Sequence, residues 1–124
     1  MDYRTLFANV RRRPGLYGLD GSFGQYCAFL TGLDTGNAGQ LLVGLREWLV
    51  VRVGTGNNLV WPALVKHAAF PGQHPFQGLD EQHLVDTLFD LLDEFWEIRS
   101  RHDGTTRVFD EYLTWLKAQS WYRG

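Results

Sequence analysis

The sequence predicts an all-α fold, a compact single-domain bundle of about five to six helices spanning residues 1–124. Three observations predict it: apolar residues recur at helical spacing along most of the chain, capping residues precede several of these runs, and Gly and Pro gather between them. With 44% hydrophobic residues, including five Trp, five Tyr and eight Phe, the chain has apolar area for one core. A formal net charge of only −2 separates it from disordered chains, which combine low hydrophobicity with high charge.

Asp2 to Arg13 reads as a first helix, with Tyr3, Leu6, Phe7 and Val10 on one side, stopped by Pro14 and Gly15. A turn-rich segment follows to Ser22, which caps a second helix through about Asp34, its inner face formed by Phe23, Tyr26, Cys27, Leu30 and Leu33. After a break at Asn37 to Gly39, Gln40 to Val53 places Leu41, Leu42, Leu45, Trp48 and Leu49 on one stripe. Its β-branched end, LVVRV at residues 49–53, fits either helix or strand. Leu59 to Phe70 reads as a shorter helix with Pro62 tolerated in its first turn. Pro71 to Gly78 reads as a surface loop. Asp80 then caps the longest periodic run, which extends to Ile98 with Leu79 and Leu84 placed as a hydrophobic staple. Thr105 or Thr106 caps a last helix to about Trp121.

Cys27 is the only cysteine, which excludes an internal disulfide and a CxxC redox pair and fits a reducing compartment. The run MDYRTLFANVRRRPG is charged where a signal peptide is apolar, and no stretch approaches membrane-spanning length. The expected location is cytoplasmic, with no membrane partner.

Charge is unevenly spread: residues 1–70 carry a net +3 and the remainder −5. Much of the acid lies on the long helix. At about 100° per residue from Asp86, residues Asp90, Asp93 and Glu97 fall at about 40°, 340° and 20°. They form one stripe, with Glu94 beside it, opposite Leu84, Leu88, Leu91, Leu92, Phe95 and Trp96. The stripe lacks interleaved lysine, whereas surfaces shaped for solubility alone mix signs, so Asp86, Asp90, Asp93, Glu94 and Glu97 are the candidate partner-binding residues. A solvated face is the plainer reading of the same pattern. Acid/base catalysis needs a carboxyl shifted by burial, and this stripe faces away from the apolar side. No catalytic set is assigned.

His67, His74, His83 and His102 lie on separate segments without HExxH or HxxxH spacing, so no metal or other cofactor is expected. Arg11, Arg12 and Arg13 suit a helix C-terminus, and a sequence pI near 6.0 argues against nucleic acid as partner. GTGNN at 54–58 lacks the lysine and strand context of a phosphate loop and reads as a helix-ending turn. Trp48 and Trp61 are binding-anchor types, although Trp48 lies on the apolar stripe. A cleft lined by His67, Glu47 or Tyr17 would point to an enzyme instead.

Five segments occur in order over about three quarters of the chain: Arg13-Pro14-Gly15-Leu16-Tyr17-Gly18, Phe29-Leu30-x-Gly32, Leu45-Arg46-Glu47-Trp48, Asn57-Asn58-Leu59-Val60-Trp61 and Phe89-Asp90-Leu91-Leu92-Asp93-Glu94-Phe95. Their order resembles a widespread group of small bacterial immunity-type proteins of polymorphic-toxin and contact-dependent inhibition loci. The Gly and Pro content of Pro71 to Gly78 departs from that pattern. The resemblance implies an inhibitor that binds a cognate protein toxin, a nuclease being the kind an acidic surface suits. A non-catalytic adaptor or structural subunit binding a basic partner protein is the alternative. Oligomeric state is open.

Overall fold

The computed structural model describes residues 2–72 and 78–123. Among the described residues six α-helices make the fold: α1 (Tyr3–Arg12), α2 (Phe23–Gly36), α3 (Leu45–Val53), α4 (Trp61–Ala69), α5 (Glu81–Arg99) and α6 (Gly104–Lys117), with a 3₁₀ turn at Pro14–Tyr17. There is no strand among the described residues, and LVVRV is helical. Residues 73–77 of the expected surface loop, His74 among them, lie outside the described residues.

Several expected caps hold these helices. Asp2 accepts from the Thr5 amide, Ser22 from Gln25, and Asp80 from both Gln82 and His83, each meeting amides that a helix N-terminus leaves without a partner. Pro62 sits in the first turn of α4, where its missing N–H costs nothing.

α5 is the central element, burying Leu84, Val85, Leu88, Phe89, Leu91, Leu92 and Phe95. α3 packs against α4 and α6, while α1, α2 and α4 lie against α5. Tyr26, Trp48, Leu49, Leu64 and Val108 join the same core. Trp48 is buried there, its ring 5.8 Å from that of Phe95.

Two boundaries correct the sequence reading. The third helix begins at Leu45 rather than Gln40, because Gly44 adopts φ 90° and breaks the helical path. Leu41 and Leu42 are nevertheless buried. The segment is stabilised from a distance: the Asp34 carboxylate accepts the Leu42 amide at 2.8 Å, and Arg99 donates to the carbonyls of Gln40, Leu41 and Val43. The last helix starts at Gly104 without a threonine cap and ends at Lys117, four residues short of Trp121. Gly104 is wedged against α5, where a Cβ would overlap the carbonyl oxygens of Ile98 and Arg99. The Gln119 side-chain amide donates to the Trp115 carbonyl at 2.7 Å, closing the helix end.

Candidate partner-binding surface

The five carboxylates singled out on α5 do share one exposed strip, and arginines from α1 and α3 lie across it. Arg4 donates through Nε and Nη2 to the two oxygens of Asp93 at 2.7 and 3.1 Å, and through Nη1 to Glu97 at 2.6 Å. One α1 heptad later, Arg11 donates to Asp86 at 3.0 Å and Asp90 at 3.2 Å. Arg52 of α3 pairs with Glu94, and Arg101 lies 3.8 Å from Glu97. The spacing of Arg4 and Arg11 brings both onto one side of α1, and the two guanidiniums meet carboxylates separated by similar distances along α5.

The packing beneath determines this placement. Phe7 and Val10 bury the inner side of α1, the Phe7 ring meets Trp96 edge to face at 5.9 Å, and Tyr3 meets Trp96 at 5.6 Å. Arg11 also lies over the Phe89 ring at 5.6 Å, and the Tyr26 hydroxyl donates to the Arg11 carbonyl at 3.2 Å. With the helix so fixed, its arginines have little choice of partner.

The ion pairs alter the electrostatics of the strip. Hydrogen bonds from Arg4 hold the Asp93 carboxyl below the usual aspartate range, and those from Arg11 and then Gln82 do the same for Asp86. Burial opposes the charge on Arg11, yet its bonds to Asp86 and Asp90 raise its pKa overall. Arg4 is raised by Asp93 and then Glu97. The carboxylates are unequally available: Asp90 is 74% exposed with a single 3.2 Å contact to arginine, whereas Asp86 is 44% exposed and bound by both Arg11 and Gln82.

Beside the strip lies a groove of about 740 Å³ between α1, the turn after it and α5. Phe7, Tyr26, Val85 and Phe89 line its apolar part, and Arg4, Arg12 and Asp93 its charged edge. Arg12 is exposed and bonds to the Asn9 amide oxygen at 3.3 Å.

The remaining sequence candidates are dispersed. His67 lines a cleft of about 450 Å³ together with Arg52, Thr87, Asp90 and Glu94. Tyr17 instead packs against Phe29, and Glu47 pairs with Arg46. His83 is within 3.0 Å of the Ala69 carbonyl, and His102 is exposed beside Asp103. No group of three metal-ligating side chains occurs among the described residues. Cys27 is buried, and desolvation pushes its thiol up to about 12, which leaves it protonated and a poor nucleophile at neutral pH. No helix among the described residues is long and apolar enough to cross a membrane.

Sequence reasoning missed Arg4, Arg11 and Arg52 as members of this surface. The available signal was the seven-residue spacing of Arg4 and Arg11 on a helix of opposite charge to the stripe. The chain matches no protein family, curated protein or solved structure.

Proposed function

We propose that this chain is a non-catalytic binding protein, an immunity protein that neutralises a cognate bacterial toxin through the α1–α5 face. The observation that carries the binding reading is the exposed charged strip flanking an apolar-lined groove. Such a pairing supplies what protein recognition uses, a site for a hydrophobic anchor and a polar rim that sets orientation. The toxin direction rests on the ordered segments that resemble immunity-type proteins.

The internal arginines refine how a basic partner would engage. Exposed ion pairs contribute little individually, and a carboxylate has lone pairs for more than one donor. An incoming Lys or Arg can therefore share the carboxylates or take the place of Arg4 and Arg11, and Asp90, the most exposed, is the first contact. With Arg101 counted beside Arg4, Arg11 and Arg52, four arginines face the five carboxylates, and this near balance favours a second reading, an adaptor for a partner of mixed charge, over an inhibitor tuned to a strongly basic nuclease.

Co-expression with the product of the neighbouring reading frame tests the proposal. Protection by the wild-type chain is expected, with partner affinity falling roughly a hundredfold in Asp90→Lys/Asp93→Lys, mainly through association rate at low salt. Toxicity undiminished by the wild-type chain sinks the immunity reading, and unchanged affinity moves the interface elsewhere. An enzymatic alternative would use the cleft at His67, and His67→Ala reads it: lost protection with intact binding is the result an enzyme gives.

A further inference from the structure

Another cleft, away from the charged strip and independent of the toxin reading, carries an inference of its own. It lies between the 54–58 loop and the end of α6, has a volume of about 330 Å³, and is lined by Thr55, Asn57, Asn58, Trp115, Gln119 and Trp121 together with loop glycines. None of its lining side chains is ionisable. We propose that it binds a neutral, hydroxyl-rich ring of the saccharide class.

The loop is held in place by the rest of the protein. Gly54 and Gly56 adopt φ of 84° and 85°, and a Cβ on Gly56 would come within 2.7 Å of the buried Leu64 side chain. Arg46 donates to the carbonyls of Asn57 and Leu59, and the Tyr112 hydroxyl donates to Asn57 Oδ1. These bonds fix Asn57 by its oxygens and leave its Nδ2 as a donor. Gln119 spends its Nε2 on the Trp115 carbonyl and keeps Oε1 as an acceptor. Thr55 and Asn58 make no side-chain hydrogen bond to the described residues, and neither indole N–H has an acceptor among them.

The cleft therefore offers neutral donors and acceptors together. A charged ligand would find no counter-charge among its lining residues, whereas a hydroxyl both donates and accepts. Trp115 and Trp121 meet edge to face at 6.2 Å and 67°, and Trp121 is 53% exposed. The exposure of Trp121 leaves indole surface beside the cleft on which the C–H face of a ring can lie. The edge-to-face pair does not form a slot between parallel rings, as an extended proline-rich peptide would use. The volume is at the small end of ligand-sized clefts, roughly 300–1,000 Å³.

Saturation-transfer NMR on the intact protein tests the assignment, with N-acetylglucosamine, maltose and galactose as probes and a proline decamer beside them. Transfer to the ring protons of at least one sugar is expected, with amide shifts concentrated in residues 54–58 and 115–121. Affinity should fall about tenfold in Trp121→Ala and measurably in Asn58→Ala, two surface positions where the fold is retained. No transfer to any sugar, transfer unchanged in Trp121→Ala, or transfer to the proline peptide alone overturns the proposal. Neither position belongs to the α1–α5 face, so toxin protection should be the same in both variants as in the wild-type chain.

Discussion

The charged face of α5 and the 54–58 cleft are opposites in composition and in how far their polar groups are satisfied. On α5 every carboxylate of the strip has an arginine of the same chain beside it, so the residues most conspicuous in the sequence are already engaged. In the cleft there is no charge, yet Asn57 Nδ2, Gln119 Oε1, the Asn58 amide, the Thr55 hydroxyl and two indole N–H groups make no hydrogen bond among the described residues. Charge thus marks where a surface can steer a partner, while unspent hydrogen-bonding groups on a rigid frame mark where a small ligand can be held.

The cleft side of the comparison is the easier to break. Gly56→Ala puts a side chain at φ +85°, which L residues rarely adopt, and within 2.7 Å of a methyl of the buried Leu64, which must shift. The expected loss is roughly 1–3 kcal/mol of stability, read as a lower urea midpoint, together with shifted amides across 54–58. The α1–α5 face should be undisturbed, so partner affinity should hold in the folded protein.

On the charged face the smaller effect is one of pH. Asp86 and Asp93 have carboxyls lowered by Arg11 and Arg4. A lowered folded-state pKa contributes stability that is present above the unfolded value, about 3.9 for aspartate, and is lost as pH falls through the folded value. Urea titrations from neutral pH downward should show the wild-type protein losing stability below about pH 4. The loss should be shallower in Asp86→Asn/Asp93→Asn, which has no such carboxyls to protonate. Parallel curves would mean that the pairs do not bind α1 to α5 in solution.

The same contrast explains what could be read in advance. Asp2, Ser22 and Asp80 announce helix starts because capping is local, and the stripe on α5 is legible because helical periodicity alone creates it. The unwound stretch before Leu45 was hidden, since its carbonyls are satisfied by Arg99, which lies more than fifty residues further along the chain. The missing threonine cap of α6 has a similar origin: Gly104 begins the helix because α5 leaves no room there for a Cβ. The pairing of Arg4 and Arg11 with the stripe depends on where Phe7 and Val10 dock α1, a tertiary event. The 54–58 loop read as a simple turn because Trp115 and Trp121, which complete the cleft, are distant in sequence.

A charge swap separates the internal role of the strip from its external one. In Arg4→Asp/Asp93→Arg the exchanged side chains can still pair, and the guanidinium introduced on α5 also stands one turn from Glu97, so the urea midpoint should lie above that of either single variant. A partner that reads the face meets a reversed pattern. The account predicts recovered stability with binding to the neighbouring gene product still lost, and wild-type affinity in the doubly substituted protein would contradict it.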